Sequence, residues 1–263
     1  MSQLPKKIKS GAVWLLQLFR PKRIPQLFRA KRLLRAVGDG SYIPPEILGD
    51  DFARQIVKIV ARAEVKTLIE IGSSSGEGST SAIIKGLKIK KGWYLHLLEV
   101  DPLRFESLRR KFHNTSGVFI HRYSSVSISR FPTKEEVVQF YNSVPTNLNR
   151  WPIDTILTWL EQDKQNLSQS NLSHINGIDK IKEDFEIDNF DFALIDGSEF
   201  TGSADLQSVL GSKYILLDDV NAFKCNQAYK VLSEDPRYLL EYENWELRNG
   251  FAIFSKLNIP FNE

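Results

Sequence analysis

Two rhythms of apolar residues alternate along this chain. Residues 66–71, 93–101, 117–123, 190–197 and 213–220 are short, nearly continuous apolar runs. They predict strands buried on both faces, because only a strand covered on each side lacks a polar face. Between them apolar residues return every three or four positions. Residues 46–63, with Ile47, Phe52, Ile56, Val57 and Val60 on one face, predict a helix, as do a stretch opening at Ser81 and residues 103–112. The last two runs, 238–242 and 250–254, read as an antiparallel hairpin. Strands that alternate with helices imply an α/β fold, a doubly wound and mostly parallel sheet.

One connection is out of proportion. Sixty-four residues separate Ser125 from the run at Phe190, far more than a strand-to-strand link needs. Helical patterning recurs there at 134–141, 153–163 and 178–185, so residues 131–188 read as a helical lid inserted before the fourth strand. Its aromatics Phe140, Tyr141, Trp151 and Trp159 serve either as a wall for an acceptor or as the lid's own core. Residues 49–263 form the main domain on this reading, and residues 1–48 are an extension and linker ending in Ser41-Tyr42-Ile43-Pro44-Pro45.

The first run leads into Gly72-Ser73-Ser74-Ser75-Gly76-Glu77-Gly78 and then a helix. A glycine-rich turn between strand and helix presents backbone N–H groups at the positive end of the helix dipole, and its glycines let a ligand approach closely. Glu70 sits just before the turn, where a carboxylate disfavours a phosphate and favours a cation. The turn therefore reads as a pocket for a nucleoside that carries positive charge. In open α/β sheets ligands bind beyond the carboxyl ends of the strands. Glu70, Glu99, Asp196, Asp218 and Asp219 all fall at such ends, which gathers the acids on one edge.

Spacing narrows the chemistry. The glycine pattern also occurs in short-chain dehydrogenases, which need Lys four residues after a catalytic Tyr; none of the eight tyrosines here has one. Taken together, the acid of the first strand, the turn, Glu99 ending the second strand and Ile195-Asp196-Gly197-Ser198 ending the fourth resemble class I S-adenosylmethionine-dependent methyltransferases, with their Rossmann-like sheet. With Leu217-Asp218-Asp219 the likeness points to the small-molecule O-methyltransferase branch that includes macrocin O-methyltransferase-like sugar enzymes.

That resemblance implies S-adenosylmethionine as methyl donor. Glu70, Gly72, Ser73, Ser74, Gly76 and Gly78 would hold its methionine end, Glu99 the ribose hydroxyls, and Ser124 and Ser125 would border the adenine. Asp101 is expected to cap the next helix instead. Asp196, Asp218 and Asp219 match the positions that bind Mg2+ in metal-dependent relatives, where the ion lowers the pKa of the acceptor hydroxyl. Whether an ion is held here, or Asp196 serves cofactor or substrate alone, stays open. The sugar enzymes carry His where this chain has Glu199, so Asp196 and Glu199 are the catalytic candidates and the identity of the base stays open.

Charge and cysteine content add limits. Ten basic side chains and no acid lie in residues 1–38; the whole chain is at +3, so the remainder stands at −7. An acidic domain, with no Asn/Asp-Pro-Pro-aromatic pattern after its fourth strand, argues against nucleic acid as substrate. The arm has three open readings: a helical extension packed on its own domain or on a second copy in a homo-oligomer, a peripheral helix on an anionic membrane surface, or a nucleic-acid contact. Its apolar run at 11–19 is shorter than the ~20 residues a bilayer requires. One cysteine, Cys225, fits a reducing, cytoplasmic setting. The expected activity is methylation of a hydroxyl on a small acceptor such as a sugar or glycolipid headgroup. The alternative is a catalytically inactive Rossmann-like binding protein, attached to a membrane surface by the arm.

Overall fold

The computed structural model describes residues 44–257, so the readings of residues 1–38 lie outside the described residues. Every expected run forms a strand: β1 (Thr67–Ile71), β2 (Tyr94–Leu98), β3 (Val118–His121), β4 (Phe192–Ile195), β5 (Tyr214–Asp218), β6 (Tyr238–Asn244) and β7 (Phe251–Lys256). They make one sheet in the order β3-β2-β1-β4-β5-β7-β6. The first five are parallel; β7 runs antiparallel to both β5 and β6, as the hairpin reading requires. The doubly wound α/β sheet with an antiparallel C-terminal hairpin is therefore observed.

Eight α-helices form among the described residues: α1 (Asp51–Val60), α2 (Ser79–Leu87), α3 (Pro102–Phe112), α4 (Lys134–Ser143), α5 (Ile153–Gln169), α6 (Gly177–Asp184), α7 (Gly202–Val209) and α8 (Phe223–Glu234). The first is shorter than its apolar pattern. Gly49 takes positive φ and the Asp50 carboxylate accepts from Ala53 N at 2.8 Å, so the cap sets the start five residues late. No helix among the described residues is long and apolar enough to cross a membrane.

Alternation along each strand divides the core. Leu68, Leu95, Leu97, Phe192, Leu194 and Leu216 face α1 and α2, meeting Phe52, Ile56, Val60, Ile83 and Leu87. The opposite face carries Ile69, Ile71, Leu98, Ala193, Ile195 and Leu217, covered by Ile178, Ile181, Leu206, Val209 and Leu232 from α6, α7 and α8. The insertion builds a third core of its own from Val137, Leu148, Ile156, Leu160 and Leu167, closed by Phe200 from beyond β4.

Helices α7 and α8 go beyond the sequence reading, and their contact matters for the site. Gly202, at the start of α7, lies so close to α8 that a Cβ there would overlap the Lys224 carbonyl. Gly202→Ala must push the two helices apart, and an overpacked backbone of this kind costs about 3 kcal/mol. Gly92→Ala is the control: its φ is +68° but an added Cβ meets nothing within 4 Å, so only left-handed strain of about 1 kcal/mol is expected. Urea unfolding of both variants measures the difference, and equal losses would contradict the packing account.

Candidate active site

The strand register sets out the site. Ile71 pairs with Leu98 and with Ile195, and Ile195 pairs with Leu217. The next residues, Gly72, Glu99, Asp196 and Asp218, therefore stand in one row at the carboxyl edge. Glu70 does not belong to that row. It lies opposite Leu97 and Leu194, two rows inside the sheet from that edge, and is fully buried.

The turn after β1 is shaped by the protein's own packing. The N–H groups of Gly72 and Ser73 both donate to the Leu98 carbonyl, at 3.1 and 2.9 Å. Gly72 has φ +88°, and a Cβ on it would overlap the Asp196 carbonyl. One on Gly76 would strike the Phe112 ring and Leu108. Close approach is thus required here, and the partner that approaches is the chain itself. Ser74, at φ 51°, turns its N–H onto Glu99 Oε2 at 2.8 Å. Gly78 ends the turn as the residue preceding α2, with no side-chain cap.

The buried acids are held in different ways. Glu99 accepts two backbone N–H groups, Ser74 N on Oε2 and Asp101 N on Oε1, both at 2.8 Å. Burial pushes its pKa up, and the charge of Arg104 opposes that. Asp101 caps α3 by accepting from Leu103 N and Arg104 N, as expected. Glu70 faces the start of α2, where Thr80 Oγ1 donates to its Oε2 at 2.5 Å while Oε1 accepts no hydrogen bond. Burial lifts its pKa from 4.5 to about 7, against the pull of the Ser79, Thr80 and Ser73 hydroxyls. Asp205, unremarked in the sequence, is likewise buried; burial raises its pKa to about 6 against the pull of nearby hydroxyls, and its Oδ2 accepts from Thr201 Oγ1 at 2.9 Å.

Ser124 and Ser125 anchor α6. Their carbonyls accept from Gly177 N at 2.8 Å and Ile178 N at 3.2 Å, and the Ser124 hydroxyl is spent on the Val126 carbonyl at 2.5 Å. Across the sheet edge, the insertion is tied down by Ser198 Oγ donating to Asp163 Oδ2 at 2.8 Å and by Phe223, packed against Phe140 and Phe200. Trp151 and Trp159 pack edge to face, and Tyr141 donates to the Trp151 carbonyl, so these three serve the insertion's interior.

Asp196, Asp218 and Asp219 do come together, with one carboxylate oxygen of each within 4.8 Å of the others. Two cations that the sequence reading missed share the cluster. Lys224, on the first turn of α8 and 4% exposed, places Nζ 2.8 Å from Asp196 Oδ1 and 2.6 Å from Asp219 Oδ2. Arg248 bridges Asp50 and Asp218 Oδ1, the latter at 2.8 Å, and Asn249 donates to Asp219 Oδ1 at 3.1 Å. Burial alone would lower the lysine's pKa, but the charges of Asp196, Asp219 and Asp218 outweigh it and raise it well above 10.5. Burial and the charge of Asp219 push Asp218 up, so its second oxygen, which has no hydrogen-bond partner, suits a proton. Glu199 is buried nearby and adds its charge to those favouring the ammonium. The only sign of Lys224 in the sequence is a lone lysine between Ala222-Phe223 and Cys225, five residues past the acid pair.

This donor set does not fit a divalent ion as it stands. An ion shared by Asp196 and Asp219 would lie about 3–4 Å from the ammonium, a repulsion on the order of 10 kcal/mol at an effective dielectric of about 20. Cys225 is equally unsuited to nucleophilic work, since burial holds its thiol far above its ordinary pKa. His96 and His121 contact each other at 3.2 Å inside the β2–β3 face, and burial pushes them down to about 3 and about 4. They fill a structural role between β2 and β3.

No family model matches the chain, and no curated protein matches it in sequence. Among solved structures it is similar to the O-methyltransferase from Bacillus cereus in complex with S-adenosylhomocysteine (SAH), at 14% identity and a TM-score of 0.50, over 93% of this chain and 96% of that one. A methyltransferase from Geobacter sulfurreducens aligns over 93% and 96% at 11% identity and TM-score 0.47. The SAH-bound methyltransferase from Podospora anserina aligns over 97% and 100% at 13% identity and TM-score 0.46. The fold assignment rests on the first of these: the chain has the class I methyltransferase fold that the sequence resemblance implied.

The state of Glu70 has a measurable consequence. Its folded pKa of about 7 lies above its ordinary 4.5, so the neutral form is the one the fold prefers. The stability it contributes is full below pH 4.5 and is lost as pH rises through 7, on the order of 3 kcal/mol in all. Glu70→Gln, which cannot ionise, should remove that slope. Denaturation of both proteins between pH 4.5 and 8 reads the difference, and parallel curves would mean that Glu70 is ionised throughout.

Proposed function

We propose that this protein is an S-adenosylmethionine-dependent methyltransferase acting on a hydroxyl of a small molecule such as a sugar or glycolipid headgroup. The observation that carries this is Glu99. It ends β2 beside the turn, with both carboxylate oxygens oriented by backbone N–H groups and each retaining acceptor capacity for a vicinal diol. The shared fold supports it, since the Bacillus cereus O-methyltransferase binds SAH on the same sheet architecture.

On this reading the cofactor supplies an activated methyl group on a sulfonium. Glu99 accepts the ribose hydroxyls, and the turn 72–78 frames the methionine end. Glu70, enclosed beneath the turn, bears on the methionine end by fixing the Thr80 hydroxyl rather than by direct contact. Ser124 and Ser125 position the adenine side by anchoring α6 to the end of β3. Displacement at the methyl carbon consumes positive charge, so what remains for the protein is alignment and removal of the acceptor's proton. Asp196 and Glu199 are the carboxylates at that edge. Asp196 is held by Lys224, and Glu199, buried beside the same cluster at the position where the sequence resemblance leads to a histidine, is taken as the general base.

Two measurements test the proposal. Calorimetric titration with SAH should show one site, with Glu99→Ala weakening affinity about 10–100-fold, the cost of a lost pair of charge-assisted hydrogen bonds. Absence of binding to the wild type would remove the methyltransferase reading. Methyl transfer from labelled cofactor to extracted glycans and lipids should then appear, and Glu199→Gln should lower its rate ~100-fold or more while SAH affinity stays unchanged. Tight SAH binding without transfer to any hydroxyl acceptor would favour a binding protein.

A further inference from the structure

The carboxylate cluster that the sequence resemblance matches to a possible Mg2+ site already contains a cation. Lys224 Nζ lies within 2.8 Å of one oxygen from Asp196 and one from Asp219, in a pocket that leaves the side chain 4% exposed. Asp219 reaches it from a left-handed backbone, φ 59°, a conformation disfavoured for an aspartate in the middle of a chain and tolerated when the surroundings fix it. Asn249 fixes the other oxygen of that carboxylate, and Arg248, itself left-handed at φ 56°, takes Asp218.

The lysine is not placed to swing aside. Its carbonyl is pressed against Gly202, its neighbour Phe223 is packed against Phe140 and Phe200, and Cys225 on its other side is fully buried. Both ends of the first turn of α8 are thereby held, and the ammonium is delivered to the two carboxylates by the fold itself.

We propose that Lys224 is the resident cation of this cluster, taking the position a divalent metal would fill, so that the strand-end edge works with a protein ammonium and binds no divalent ion. The inference stands on the geometry of Asp196, Asp219 and Lys224 and does not require that the protein transfer methyl groups.

Manganese(II) is the probe, followed by the loss of its free electron paramagnetic resonance signal on titration with the full-length protein. Wild type is expected to leave the signal unchanged at 100 µM protein, and 1 mM Mn2+ is expected to leave its thermal midpoint in place. Lys224→Met keeps the bulk of the side chain and removes the charge; it should take up one Mn2+ per chain and gain thermal stability from it. Stoichiometric uptake by the wild type, abolished by Asp219→Asn, would overturn the proposal, as would a Lys224→Met variant that folds and still ignores Mn2+. Should the variant not fold, the wild-type titration decides alone, since metal uptake there contradicts the proposal and its absence at millimolar Mn2+ supports it.

Discussion

A carboxylate withdrawn from water at the end of a parallel strand must be neutralised from within, and that requirement shapes this edge of the sheet. The chain meets it in three ways. Asp196 and Asp219 share the ammonium of Lys224, Glu99 draws on the N–H groups of Ser74 and Asp101, and Glu70 sits in a pocket that favours its protonated form. Each solution has a structural cost near it. The ion pair needs left-handed Asp219 and the crowded helix contact at Gly202; the amide pair needs left-handed Ser74; the neutral acid needs a hydroxyl donor in Thr80.

The same requirement reassigns the glycines. A glycine-rich turn between strand and helix is commonly read as room left for a ligand, yet a side chain on Gly72 or Gly76 would collide with the Asp196 backbone or the Phe112 ring. The turn is compressed so that Ser74 N reaches Glu99 and the Asp196 strand end closes against β1. Ligand geometry is therefore set at one remove, through the carboxylates that the compressed turn brings into line.

Most of the sheet was legible because its signal is local. Runs such as Phe190–Gly197 in the chain are apolar whichever neighbour they pair with, and the observed order puts each between two others or under a helix. The acids were legible too, since a polar residue at the end of an apolar run has few structural uses. What escaped was every feature set by distant pairing. Arg248 lies 30 residues beyond Asp218, and Lys224 lies 28 beyond Asp196; nothing in either neighbourhood announces a buried cation. Glu70 was misplaced by two rows for a related reason: burial within a strand and position at its end look alike until register is known. The start of α1 shows the reverse, where the Gly49-Asp50 cap overruled an apolar periodicity that begins earlier.

The composition of the cluster bears on how an acceptor would be activated. A divalent ion activates a hydroxyl by lowering its pKa before transfer, which makes a separate base less important. An ammonium pinned between two carboxylates is a weaker electrophile, since its charge is already balanced, and its own pKa lies far too high for it to accept a proton. On the methyl-transfer reading, deprotonation must then accompany transfer, and the proton needs a carboxylate to receive it. Asp196 Oδ1 accepts from that ammonium, and Glu199 stands three residues further along, after Gly197-Ser198, at the position where the sequence resemblance leads to a histidine. On the same reading a carboxylate base and a protein ammonium are compatible in one buried edge, because the charge of Glu199 is among those that favour the Lys224 ammonium.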